Sequence, residues 1–291
     1  MVGMEVASEP DAPRLQGPPF QVVAGLSLEQ ITRSIDDCFL LLDRSPRPMQ
    51  WTLAGVSKSL GWAADDPLVT VLAAIAKEVD EGELSAPLPY HNRIHSCEVV
   101  LGAHFLGRLL GLTPVQHTEL VVAAVIHDLG HDGGTNQDEP FRLERQSHAY
   151  ARPYLAQAGV SEDRLQRLLT LLLATDIVHG LPRVRAWFRY HAEQGPRPEA
   201  PEPDPAFDLL AHDPDLVRSA VILTEADALS SAGLTAERAQ LQEERLAAER
   251  GWSVGACAKA RYLDTVFPEG FLLADIFNPN LEKMRRCAPP L

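Results

Sequence analysis

Residues 120–134, LVVAAVIHDLGHDGG, join an apolar run to a polar run that ends in two glycines. The apolar part is typical of a helix packed into a core, with His127, Asp128 and His131 at its polar end. His127 and His131 share a helix face, whereas Asp128 is turned by about 100° and needs the helix end to point into the same cavity. A helix-capping pair is the alternative interpretation. Burying these groups without a partner would cost several kcal/mol, and a metal ion would remove that cost.

The segments on both sides of this stretch have the same helical spacing of apolar residues. Strand-type alternation is scarce, and glycine or proline stands where each helix should end. The sequence therefore predicts an all-α fold, a compact multi-helix bundle with a metal site in a central pocket. A segment rich in proline and glutamate, residues 193–208, is expected to be an exposed loop between helices.

The helical pattern also suggests how the chain is organised. Residues 1–25 have little periodicity and are expected to form a mobile lead-in. Residues 26–85 contain two helical patterns, SLEQITRSIDDCFLLLDRS and DPLVTVLAAIAKEVDEGE, and form an N-terminal helical subregion. Residues 86–291 contain the candidate site residues and are expected to form the catalytic domain. The role of the first 85 residues is left open.

Composition narrows the class of partner. The chain has 291 residues, 45% of them hydrophobic, and a formal net charge of −14. This charge argues against nucleic acid or an anionic membrane surface as a partner, because both need a basic face. A small anionic substrate would need local cations, most simply metal ions. A homodimer is left open.

The cysteines and the N-terminal stretch suggest a cytoplasmic protein. The four cysteines are widely scattered, without the close spacing of a disulfide framework or a thiolate zinc site, and are expected to be reduced. No apolar run approaches the roughly 20 residues that cross a bilayer. The acidic beginning of the sequence does not resemble a signal peptide.

Two further segments carry candidate ligands. PYHNRIHSCEVV, residues 89–100, places His91 and His95 one helical turn apart, where both rings face one point. LVRSAVILTEADALSSAG, residues 216–233, places Asp227 just beyond an apolar helix face. Taken alone, each would more often be a surface pair or a helix cap. Together with the first segment they supply imidazoles and carboxylates suited to Zn²⁺, and Asp128 has a second oxygen for Mg²⁺ or Mn²⁺.

The segments YHNRIH, HDLGHDGGTNQ, LLATDIVHG and TEADALSS resemble, in this order, the signatures of the class I 3′,5′-cyclic nucleotide phosphodiesterase catalytic domain. This domain is a branch of the HD superfamily of metal-dependent phosphohydrolases. The resemblance covers roughly residues 86–277 and weakens at VFPEGFLLAD. It implies an enzyme that hydrolyses cyclic AMP, cyclic GMP or a related cyclic phosphate through a hydroxide that bridges two divalent metal ions. We expect these to be zinc with magnesium or manganese, with iron left open.

The resemblance also implies roles for individual residues. His91 would be the general acid, and His131 and Glu144 would lie around the second metal. Asn136 and Asp176 would lie near the substrate pocket. The first metal would be held by His95, His127, Asp128 and Asp227.

The resemblance is weakest at the base-binding wall of the pocket. Aligned on VFP, the family's purine-binding glutamine falls on Ala258 and its aromatic clamp on Arg261. Neither residue can do that work, although Arg261 could contact a phosphate, or the alignment could be off by some residues. The base preference is therefore open.

Three other functions are compatible with the sequence. One is a different HD phosphohydrolase that acts on a linear nucleotide. Another is an HD-type di-iron oxygenase, in which His148 and His179 would add nitrogen ligands for iron. The last is a binding module that keeps the metals without turnover. Metal identity separates the hydrolases from the oxygenase.

Overall fold

A computed structural model describes residues 26–136, 139–252 and 258–286, without the side chains of residues 258–261 and 286. These residues form helices and contain no β-strand, so the predicted all-α fold is confirmed. The predicted lead-in, residues 1–25, lies outside the described residues. No described helix is long and apolar enough to cross a membrane.

The α-helices follow one another along the chain, with the longer connections after α5 and α8. Their bounds are α1 Leu28–Leu42, α2 Pro48–Leu60, α3 Pro67–Glu81, α4 Arg93–Leu109, α5 Pro114–Ile126, α6 Arg142–Gln157, α7 Glu162–Leu173, α8 Leu181–His191, α9 Pro214–Ala228, α10 Ala236–Arg250, α11 Ala258–Val266 and α12 Asn278–Arg286. Short 3₁₀ helices cover Pro205–Ala211 and Asp275–Phe277, and a π-helical turn covers Leu229–Gly233.

Local sequence signals set several helix starts. Ser27 caps α1 and exchanges hydrogen bonds with Gln30 in a capping box, and Thr113 and Gln116 do the same for α5. Asn92 caps α4, accepting from the backbone N–H groups one turn ahead. Because Asn92 is the N-cap and α4 begins at the next residue, His91 lies just outside the helix and His95 lies within its first turn.

Helices α4, α5 and α9 form the centre of the molecule. Nearly every residue of α4 from His95 to Gly107 is buried, and α5 is buried from Glu119 to Ile126. Both helices pack against each other, and α4 and α5 each pack against α9. All three candidate segments therefore lie in the most enclosed part of the fold.

The N-terminal helices share this core. Phe39 of α1, Met49 of α2 and Ile75 of α3 are fully buried in the same hydrophobic cluster as the central helices. Helix α2 packs on α4, and α3 packs on α6.

The segment expected to be an exposed loop, residues 193–208, is only partly so. Its end forms the first 3₁₀ helix and buries Phe207 against Phe141. Asp204 caps this short helix and is itself buried. The proline-rich composition describes the exposed part, whereas Asp204, Ala206 and Phe207 at its end are buried.

Candidate metal and active site

The ends of the three central helices meet at one cavity of about 490 Å³. Helix α4 brings His95, the turn after α5 brings His127 and Asp128, and the last turn of α9 brings Asp227. The cavity is also lined by His91, His131, Asn136, Glu144 and Asp176. The fold thus brings together every candidate site residue whose side chain is described.

Four of these residues converge on one point. His95 Nε2 lies 3.1 Å from Asp227 Oδ1 and 3.4 Å from Asp128 Oδ2. His127 Nε2 lies 3.3 Å from Asp128 Oδ2 and 4.0 Å from Asp227 Oδ1. Two imidazole nitrogens and two carboxylate oxygens at these separations are a donor set typical of a divalent transition metal.

Unused hydrogen-bonding capacity supports this interpretation. His127 Nδ1 lies 2.8 Å from the carbonyl oxygen of Ala124, which makes Nδ1 the donor and directs Nε2 into the site. Among the described residues, His127 Nε2 and Asp128 Oδ2 are buried without a hydrogen-bond partner. Buried polar atoms are rarely left in this way. The residues present therefore fit a bound metal ion.

The electrostatics of the cluster favour positive charge. Burial would lower the pKa of His127, but the carboxylates of Asp128 and Asp227 outweigh it and raise the pKa to about 9. Burial would raise the pKa of Asp128, but His127 and the other nearby imidazoles hold it well below its usual range. The Asp128 carboxylate thus stays ionised and attracts either protons or a cation.

His91 faces the same cavity but has a different partner. Its Nδ1 lies 2.5 Å from Oε1 of Glu249, and Glu249 Oε2 accepts the backbone N–H groups of Tyr90 and His91 at 2.9 Å each. Burial would raise the pKa of Glu249, but these hydrogen bonds lower it to about 2. An ionised carboxylate therefore holds Nδ1 as a donor and aims Nε2 towards the cavity.

Sequence analysis missed Glu249. It lies 158 residues after His91, in the charged helix α10, where its carboxylate is one of several that repeat at helical spacing. Nothing local in the sequence distinguishes it from its solvated neighbours, because its role depends on how α10 packs.

His131 lies against His91 instead of joining the four converging residues. The two rings stack with centroids 3.9 Å apart and planes inclined by 12°. The backbone N–H of Gly133 donates to His131 Nδ1 at 3.0 Å. Burial lowers the pKa of His131 to about 4, so the ring is held neutral beside His91.

A hydrogen-bonded group of acids and an amide forms the next wall. Asn136 Nδ2 donates to Glu144 Oε2 at 2.8 Å and to Asp176 Oδ2 at 2.9 Å. Burial and the nearby Asp176 raise the pKa of Glu144 to about 7. Asp176 also accepts the N–H groups of Val178 and His179, which fixes the turn before α8.

The outer wall is apolar and aromatic. It includes Tyr262 and Val266 of α11. Val178 and Trp252 lie at the rim, and both side chains are 65% exposed. The side chain of Arg261, predicted to lie in the substrate pocket, is outside the described residues. Tyr262, the next residue, lines the cavity. An aromatic ring is therefore present one residue later than the alignment on VFP placed it.

The two histidines that an oxygenase would use as further iron ligands lie in different parts of the structure. His148 is buried away from the cavity, where its Nε2 lies 3.1 Å from the carbonyl oxygen of Leu165. His179 lines the cavity and packs edge-on against Phe141. Only one of the two expected iron ligands therefore lies near the site.

Comparison with known proteins gives one family match and similar solved structures. Residues 90–181 match the sequence profile of the family described as 3'5'-cyclic nucleotide phosphodiesterase. The chain is also similar to the phosphodiesterase domain of the RhoPDE fusion protein from the choanoflagellate Salpingoeca rosetta, with 18% identity and a TM-score of 0.53 over 91% of this chain and 96% of that one. It is similar to LmjPDEB1, solved in complex with IBMX, with 17% identity and a TM-score of 0.58 over 85% of this chain and 88% of that one. At these identities the two structures share the fold of this chain.

Proposed function

We propose that the cavity hydrolyses cyclic AMP, cyclic GMP or a related cyclic phosphate, since residues 90–181 match the 3'5'-cyclic nucleotide phosphodiesterase family of hydrolases and two phosphodiesterase structures share the fold. One observation carries this proposal. A cluster of imidazole and carboxylate atoms without hydrogen-bond partners lies beside a histidine that is held by a buried carboxylate. A cavity of about 490 Å³ is within the usual range for a site that binds a small molecule.

We propose that His95, His127, Asp128 and Asp227 hold the first divalent metal, zinc or a similar ion, and that Asp128 also contacts a second, magnesium or manganese. When bound, such ions neutralise phosphate charge and lower the pKa of a coordinated water molecule. Glu144, Asn136 and His131 face the space beside this cluster. They are suited to hold the water molecules around the second ion.

His91 is proposed to protonate the departing sugar oxygen. An alkoxide is a poor leaving group, so its departure needs a proton from a positioned acid. Glu249 binds Nδ1 of His91, and Nε2 is then the nitrogen that carries the transferable proton. The four converging residues and His91 line the same cavity, so one phosphate bound there would be within reach of both.

The nucleobase is proposed to lie against the outer wall. Tyr262 offers an aromatic face and Val266 an apolar surface in the same cavity. An aromatic face stacks on any base and discriminates poorly among bases. The choice between cyclic AMP and cyclic GMP must therefore depend on polar contacts elsewhere.

The first test is hydrolysis by the purified protein with Zn²⁺ and Mg²⁺ or Mn²⁺. The substrates are cyclic AMP, cyclic GMP and bis(p-nitrophenyl) phosphate. We expect cyclic nucleotide turnover that falls about 10²- to 10⁴-fold in His91→Ala, the usual contribution of a general acid. Asp128→Ala should abolish cleavage of every ester. His212→Ala, which changes an exposed histidine away from the cavity, should stay within about twofold of wild type.

The alternatives give other outcomes. Cleavage of the artificial diester without any cyclic nucleotide turnover would mean that the natural substrate is different, such as a linear nucleotide. No cleavage by a protein that retains iron would contradict the proposed hydrolase.

A further inference from the structure

Helix α10 ends with two neighbouring residues that each contact the site. Glu249 holds His91, as described above. Arg250 lines the cavity, and its Nη1 donates to the carbonyl oxygen of Gly133 at 2.6 Å and to that of Gly134. The last turn of α10 therefore contacts both the segment that carries the general acid and the glycine turn after His131.

The glycine turn is in turn bonded to His131. Gly133 accepts from Arg250 at its carbonyl oxygen, and its N–H, which belongs to the preceding peptide unit, donates to His131 Nδ1. Gly133 has φ of +77°, in the left-handed region, and a Cβ there would come within 3.1 Å of Leu88. The packed Leu88 side chain limits how far the backbone of Gly133 can rotate. Holding the carbonyl of Gly133 therefore restrains rotation about φ and ψ of this residue, and with it the direction of the N–H.

These contacts form a closed ring. Arg250 binds Gly133, Gly133 binds His131, and the ring of His131 stacks on that of His91 at 3.9 Å. His91 binds Glu249, which precedes Arg250 in α10. Each member constrains the next, and the one side chain in the ring without a role in the proposed mechanism is that of Arg250.

We infer that Arg250 is a positioning residue for the general acid: by binding the carbonyl groups of Gly133 and Gly134 it fixes the face of His131 on which the ring of His91 rests. The inference rests on the proposed role of His91. It assigns Arg250 no contact with substrate. Its substitution should therefore affect proton delivery more than metal-dependent attack or binding.

The test uses the difference between good and poor leaving groups. A p-nitrophenolate is a good leaving group and needs no proton to depart. A sugar alkoxide is a poor leaving group and must receive a proton. Arg250→Ala should lower kcat for the cyclic nucleotide at least about tenfold, with KM changed less than about threefold. Its effect on bis(p-nitrophenyl) phosphate should stay within about threefold. Arg250→Lys, which retains a donor, should recover part of the loss.

Arg245→Ala is the matched control. Arg245 lies on the same helix and carries the same charge, but it pairs with Asp43 at 3.3 Å, away from the cavity. This variant should stay within about twofold of wild type on both esters. Thermal melting of each variant checks folding. An equal loss on both esters in Arg250→Ala, or no loss on either, would overturn the inference.

Two readouts separate this inference from the proposed function. If the wild type cleaves aryl phosphodiesters but no cyclic nucleotide, the proposed substrate is wrong. A series of aryl esters from p-nitrophenol to phenol then shows whether Arg250→Ala steepens the dependence of kcat on leaving-group pKa. The second readout is ¹⁵N NMR of the His131 ring in the metal-free protein. Gly133 should hold Nδ1 unprotonated in wild type, and Arg250→Ala should give mixed tautomers; an unchanged tautomer would contradict the inference.

Discussion

His91 and His95 lie one helical turn apart, yet the structure gives them different partners. His95 faces the carboxylates of Asp128 and Asp227, whereas His91 Nδ1 binds Glu249. The same side chain thus suits metal binding in one case and proton transfer in the other, because the partner of one ring nitrogen decides what the other can do. The sequence spacing predicted that both rings would reach one cavity, and it contained no signal for the partner that separates them.

The contact between His91 and Glu249 leads to the first prediction. Glu249→Gln keeps a hydrogen-bond acceptor but removes the negative charge that stabilises a protonated His91. We expect kcat for the cyclic nucleotide to fall about 10- to 100-fold, with little change for bis(p-nitrophenyl) phosphate. Steady-state kinetics on both esters measures this. Glu244→Gln, an exposed change on the same helix, is the control, and an equal loss in both variants would contradict the prediction.

A second pair of histidines gives a pH-dependent contribution to stability. His104 Nδ1 lies 3.1 Å from His117 Nε2, and His104 Nε2 lies 2.9 Å from the hydroxyl of Ser59. Burial, with smaller effects from His117 and Arg108, lowers the pKa of His104 from 6.5 to about 3. Burial also lowers the pKa of His117. The folded pair is therefore neutral at pH values where the unfolded chain binds protons.

The sign of the effect follows from this difference. Above about pH 6.5, His104 is neutral in both the folded and the unfolded chain, and its protonation does not lower the free energy of unfolding. As the pH falls from 6.5 towards 3, the unfolded state binds the extra proton, and the free energy of unfolding decreases by at most about 1.4 kcal/mol per pH unit. Urea unfolding between pH 7 and pH 5 should show a shallower decline in His104→Gln than in wild type. Parallel curves would contradict this origin.

At the scale of helices, α10 is held at both of its ends. Near its start, Arg238 Nη1 donates to Glu98 of α4 at 2.8 Å and its Nε to Asp36 of α1, while Gln242 donates to Glu98 at 2.6 Å. Arg238 and Glu98 are both buried. The charged sequence of α10 gives no indication of these contacts, because charged residues on a buried face look the same in sequence as those on an exposed one.

The buried pair predicts an asymmetric mutational cost. Removing one partner leaves an uncompensated buried charge, so Arg238→Ala or Glu98→Ala should lower the free energy of unfolding by about 3–5 kcal/mol. The double variant Arg238→Ala with Glu98→Ala should cost less than the sum of the two single changes, because neither charge is then left buried without the other. Urea unfolding of the four proteins measures the coupling. Strict additivity would mean that the pair does not interact.

Site residues could be predicted from the sequence where a functional side chain directly follows an apolar run. Helices α5 and α9 end next to Asp128 and Asp227, and their apolar faces already indicated that these acids lie at the edge of the core. Tyr262 was not predicted, since a one-residue change of register in the C-terminal helix moves a different side chain into the cavity. Position along a helix is harder to infer than its existence, because neighbouring residues point about 100° apart.

At the scale of the molecule, the net charge of −14 and the converging carboxylates predict cation-dependent stability. A metal that binds the folded state alone stabilises it by about 2.7 kcal/mol at a concentration one hundred times its dissociation constant. We expect Zn²⁺ to raise the melting temperature of the wild type and EDTA to reverse the effect. Asp128→Asn should lose most of this shift, whereas the exposed Asp208→Asn should keep it. A shift that survives in Asp128→Asn would place the cation elsewhere.

The first and last described helices are tied to each other. Asn280 of α12 donates to Thr32 of α1 at 3.0 Å and to the carbonyl oxygen of Gly233 at 3.0 Å, so residues 248 positions apart meet in the core. During synthesis, α1 leaves the ribosome long before α12 exists, and its buried face must wait for that partner. Completion of the fold must therefore wait until α12 has been synthesised, and nascent chains have an interval in which α1 is open to chaperones and proteases.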